Sequence, residues 1–63
     1  MNISKLNDQY HIRLSRDELR TIGQCILEAQ EVLSAEEFEA RIGEPKSQAR
    51  ALLEQIAKAF RNS

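Results

Sequence analysis

Between Ser34 and Phe60 the chain breaks a helix and restarts it within a few residues, and this constrains the fold more than any other feature. Ser34 and Glu37 have the Ser-x-x-Glu spacing of a capping box, in which each side chain satisfies an amide that the first helical turn leaves unpaired. Phe38 and Ile42 form an i,i+4 apolar pair. Gly43 stands where a left-handed residue ends a helix, and Pro45 cannot continue that helix but suits the first turn of the next. Ala49, Leu52, Leu53, Ile56, Ala59 and Phe60 then trace an apolar stripe at steps of three and four. The prediction is a short helix over 35–42 and a longer one over 45–60. A helix, a break and a helix describe a DNA-reading helix-turn-helix and also a helical hairpin that only builds a core, so the side chains must decide.

A second capping box, Ser15 with Glu18, starts a helix upstream. Leu19, Ile22, Ile26, Ala29 and Leu33 carry its apolar stripe, so the helix is expected over 16–33, with Cys25 and Val32 widening the stripe and Cys25 at the core edge. Gly23 interrupts the stripe at a cost of about 1 kcal/mol relative to alanine, which points to close approach of another helix. Further upstream Tyr10, Ile12 and Leu14 alternate with His11 and Arg13, the period of a half-buried strand. Asn7-Asp8 suits a turn, so 3–14 reads as a hairpin or as a strand that pairs with another chain. In either case its apolar face is expected to lie on the helices, because an isolated two-stranded hairpin is marginal in water. The fold class is mainly α: a three-helix domain with an N-terminal strand or hairpin. Its expected core is Leu19, Ile22, Ile26, Leu33, Phe38, Ile42, Leu52, Leu53, Ile56 and Phe60.

With 63 residues there is room for a single domain, 1–63, and a chain of that size buries only about 60% of the surface its unfolded form exposes. One cysteine excludes an internal disulfide, so the missing stabiliser is expected to be a second protein chain, either a different protein or a second copy. The net charge is −1, distributed as +1 over 1–15, −4 over 16–43 and +2 over 44–63. No general attraction to nucleic acid or to an anionic membrane follows. There is no run of apolar residues long enough to span a bilayer and no signal-peptide pattern, so the expected location is the cytoplasm.

The chemistry of catalysis has no visible carrier. The lone histidine and lone cysteine lie far apart, there is no glycine-rich phosphate loop, and the acidic pairs Asp17-Glu18 and Glu36-Glu37 fall in first helical turns, where the macrodipole favours negative charge. No metal, cofactor or enzymatic activity is expected.

Residues 35–54 resemble the helix-turn-helix of bacterial repressors: Phe38 and Ile42 match its buried positions, Gly43 its turn glycine, and Ala49 and Leu52 the buried positions of the second helix. That resemblance implies contacts to DNA from Lys46, Ser47, Gln48 and Arg50. It departs from the pattern at Glu39, where a small residue normally lets the helices touch, and at Glu44, normally apolar. Leu14 to Leu19, Glu37 to Gly43 and Ala49 to Leu53 together resemble, in outline, small bacterial proteins of the immunity type, which neutralise a toxin encoded nearby. This second resemblance implies a protein-binding module with a basic partner. Glu28, Glu31, Glu36, Glu37 and Glu39 are then the candidate contacts, by charge complementarity. Because phosphate neutralisation dominates DNA affinity and Glu44 and Glu54 offset Lys46 and Arg50, the protein-binding reading is preferred and DNA binding is its alternative.

Overall fold

The computed structural model describes residues 1–62. In chain order they form β1 (Asn2–Leu6), β2 (Gln9–Arg13), α1 (Arg16–Val32), α2 (Ala35–Ile42) and α3 (Lys46–Arg61). The expected class, three helices behind an N-terminal hairpin, is what the chain adopts, with boundaries shifted by one or two residues.

The strands pair within the chain. β1 and β2 are antiparallel, joined by Asn7-Asp8, and Asn7 takes φ 58°, a left-handed conformation that asparagine tolerates better than most side chains. Ile3 lies opposite Ile12 and Lys5 opposite Tyr10, which places all four on one face. The Lys5 ammonium sits 5.9 Å from the Tyr10 ring centroid. Contrary to expectation, no helix covers this face: Ile3, Tyr10 and Ile12 are 55%, 65% and 53% exposed. Few groups tie the hairpin to the helices. Leu14 is half-buried, and the Met1 ammonium pairs with Glu18 Oε2 at 2.8 Å.

Both capping boxes are complete. The Glu18 amide donates to Ser15 Oγ (3.1 Å) while the Ser15 amide donates to Glu18 Oε1 (2.8 Å). The Glu37 amide likewise donates to Ser34 Oγ (3.1 Å) and the Ser34 amide to Glu37 Oε1 (3.3 Å). Leu33 is extended and closes α1, so Ser34 can open α2 without a linker. Gly43 ends α2 at φ 89°, its amide bonded to the Glu39 carbonyl. Pro45 stands just outside α3 at φ −72°, ψ 160° rather than in its first turn, as befits a residue already committed to extended backbone before a helix.

α1 and α3 run antiparallel. At one end the Arg16 guanidinium lies 4.8 Å over the Phe60 ring; in the middle Gly23 faces Leu53 and Ile56; at the other end Lys46 Nζ donates to the Gln30 carbonyl oxygen at 2.8 Å. The approach expected at Gly23 is therefore real. A Cβ built there would nonetheless meet Ile56 Cγ2 at 3.5 Å and Leu53 Cδ1 at 3.8 Å, ordinary contact distances.

The core is smaller than the apolar stripes suggest. Among the described residues Phe38, at 2% exposure, Ala49 and Gly23 are buried. Leu19, Ile26, Leu33, Leu53, Ile56 and Phe60 are half-buried, but Ile22, Ile42 and Leu52, expected inside, are exposed. Packing against α3 turns the buried side of α1 toward Gly23, Leu27 and Gln30 and leaves Ile22, Cys25 and Val32 facing out. The molecule is a slab of 32 × 29 × 16 Å. Its accessible surface, 5338 Å², is about 1,200 Å² more than the roughly 4,100 Å² that size scaling gives for a compact monomer of 7.2 kDa.

Candidate functional site

Away from the hairpin, two exposed apolar side chains, Ile42 and Leu52, stand together where the three helices meet. Phe38 and Ala49 form the floor of a groove there, with Ile26 and Ala29 from α1 on one wall, Ile42 and Leu52 on the other, and Cys25, Glu44 and Gln48 at the rim. Each position follows from local sequence. Gly43 stops α2 after two turns, so α2 is too short to lie along the whole of α1 and α3, and its last apolar residue, Ile42, projects at the open end. Ile42 and Leu52 are 53% and 46% exposed, and the groove encloses about 260 Å³. That falls below the roughly 300–1,000 Å³ of typical small-molecule pockets and suits one or two apolar side chains of another protein. Among the described residues Glu44 is the only charged one lining it.

A broader cleft of about 600 Å³ lies along the α1–α3 seam, with Leu27, Leu53, Ile56 and Phe60 among its apolar residues and Arg16, Arg20 and Arg61 at its margin. On α1 the residues of cleft and groove, Leu27 against Cys25 and Ala29 for example, fall on opposite sides by helical period. Arg20 reaches Asp17 only loosely, at 3.9 Å, and both are well exposed, a pair that contributes little.

Glu28, Glu31, Glu36, Glu37 and Glu39 are all exposed, and none of the ion pairs among the described residues includes them. They are not equivalent. Glu37 is engaged in the α2 capping box, and Glu36 shares the first turn of α2 with it, whereas Glu28, Glu31 and Glu39 have no such local role. Of the four residues implied by the helix-turn-helix resemblance, Ser47, Gln48 and Arg50 are exposed at the start of α3, with Gln48 at the groove rim. Lys46 points the other way. It is half-buried, and its ammonium holds the last turn of α1, where the helix dipole favours a cation.

Among the described residues Glu18 carries the one displaced titration. A hydrogen bond from the Met1 ammonium, and then the Ser15 amide, hold its carboxyl down from 4.5 to about 2. The apolar periodicity alone does not reveal the groove. The signal for it was the shortness of the helix between Ser34 and Gly43, which cannot supply enough apolar side chains to cover Ile26, Ala29 and Leu52.

Among the described residues no three of His, Cys, Asp or Glu are grouped to hold a metal ion, and no helix is long and apolar enough to cross a membrane. Comparison with protein-family models, with curated proteins and with solved structures gives no match for this chain.

Proposed function

We propose that this chain is a small non-catalytic protein-binding module whose helical groove receives an apolar side chain of a basic partner. The observation that carries this reading is the open groove between Phe38, Ile42, Ala49 and Leu52 in a chain whose own buried core is so small. An apolar side chain seated in such a groove leaves water for contact with other apolar side chains, which favours binding. A partner segment that seats an aliphatic or aromatic residue between Ile42 and Leu52 can set a lysine or arginine against Glu44. The acidic residues beyond it, Glu28, Glu31, Glu36 and Glu39, would steer a cationic protein toward the groove.

An immunity or inhibitor role against a toxin encoded nearby fits this surface, since toxins that attack nucleic acid carry basic clefts. The alternative, a DNA-binding regulator working through Ser47, Gln48 and Arg50, has one cation fewer to draw on while Lys46 stays on Gln30.

Co-expression with the product of the adjacent gene is the test. A complex that forms and protects growth, is lost in Leu52→Asp, and weakens in Glu36→Lys with Glu39→Lys at low salt, supports the reading. Glu37 is left intact in that experiment because its loss would uncap α2. Neither complex nor protection, with retarded upstream DNA that depends on Arg50, would replace it with the regulator.

A further inference from the structure

The hairpin offers a second surface that uses none of the groove's residues, and its geometry points to one occupant. We propose that two copies of this chain pair through the free edge of β2, forming a four-stranded antiparallel sheet in the order β1, β2, β2, β1 with His11 on the two-fold axis.

Ladder parity selects the register. Leu6 and Gln9 flank a two-residue turn and are a facing pair, so they form the first hydrogen-bonded pair of the hairpin. Antiparallel ladders alternate, which turns the backbone groups of Gln9, His11 and Arg13 toward β1 and those of Tyr10 and Ile12 outward. A second β2 can then exchange hydrogen bonds only through Tyr10 and Ile12. With His11 on the axis, Tyr10 of each copy faces Ile12 of the other, so every outward amide and carbonyl of the strand finds a partner.

Side chains favour the same edge. Tyr10 opposite Ile12 is an aromatic and β-branched pair, a stabilising cross-strand combination. The corresponding pairing of β1 would set Lys5 opposite Ile3, and an edge lysine is a common block to strand addition. In the β2 pairing Tyr10 and Ile12, each more than half exposed in the single hairpin, gain a cross-strand neighbour from the other copy. A symmetric contact of this kind closes on itself and stops at two copies.

The test combines mass with cross-linking. Sedimentation equilibrium of the full chain should give about twice the 7.2 kDa monomer mass. Ile12→Pro removes an outward amide without touching the internal ladder and should return the monomer; Ile3→Pro, the equivalent change on the β1 edge, should leave the dimer. In a Cys25→Ser background, His11→Cys should oxidise to a disulfide-linked dimer, because facing residues of a non-hydrogen-bonded pair lie about 4.5 Å apart at Cα. Ser4→Cys should not, being separated from its copy by three strand spacings, about 14 Å. A monomer at high concentration with no preferential cross-linking of His11→Cys would overturn the proposal. So would a dimer that survives Ile12→Pro and links no faster at position 11 than at position 4.

Discussion

The hairpin and the α1–α3 pair are both antiparallel two-element units, yet one is open and the other clasped. Between the helices, three contacts join residues far apart in sequence: Arg16 on Phe60, Gly23 on Leu53 and Ile56, and Lys46 on the Gln30 carbonyl. The strands are joined mainly to each other, through a local register and one left-handed asparagine, with the Met1–Glu18 ion pair as their link to α1. Local sequence signals are enough to make an element, and burial depends on what comes back to meet it from elsewhere in the chain.

The two units should fail separately, which makes their difference measurable. Phe38→Ala removes the one large side chain that is buried among the described residues and should cost about 3–5 kcal/mol, enough to abolish the cooperative helical transition in circular dichroism of so small a domain. Lys46→Met deletes a hydrogen bond from a charged donor, worth about 1.5–3 kcal/mol, and should lower the helical midpoint in urea. A DNA role for this residue predicts instead unchanged stability. Asn7→Val strains the turn by about 1–2 kcal/mol. It should weaken amide protection in 2–13 while the helical transition stays put, and a matching loss in the helices would show that the hairpin is coupled to them after all. Gly23→Ala should stabilise by about 0.5–1 kcal/mol, since the helix gains propensity and the methyl group meets Ile56 and Leu53 at contact distance; a loss of stability would mean that the helices are closer than they look.

The smallest expected effect concerns acid. Glu18 titrates lower in the folded chain than in the unfolded one, so its contribution is present above pH 4.5 and fades as pH falls toward about 2. Glu18→Gln keeps the capping box but not the charge and should flatten the acid limb of stability over that window. An unchanged limb would mean that the Met1 bond does not persist in solution.

Much of this architecture is legible in the sequence, and the reason is local. Ser15 with Glu18, Ser34 with Glu37, and Gly43 act within four residues of themselves, so their spacing suffices to place helix ends. Which edge of a broad apolar stripe is covered is a different kind of fact. On α1 the apolar side chains run around more than half the helix, from Val32 through Ile22 to Leu27, which the stripe at steps of three and four does not include, and the arrival of α3 over Gly23 selects Leu27 and Gln30 over Ile22. Gln30 illustrates the difficulty: its side-chain Nε2 is buried without a hydrogen-bond partner, a position that no polarity rule would assign to an amide. The inward turn of Lys46 and the exposure of Ile42 and Leu52 follow from the same long-range packing, and with them the groove.

The slab measures 16 Å through its thin direction, about half of its other two extents. In a sheet of matter this thin, depth is no shelter. Amide exchange should be graded by how cooperatively each helix opens rather than by distance from water, and an arriving partner would slow exchange across one whole broad side while the opposite side kept its rates.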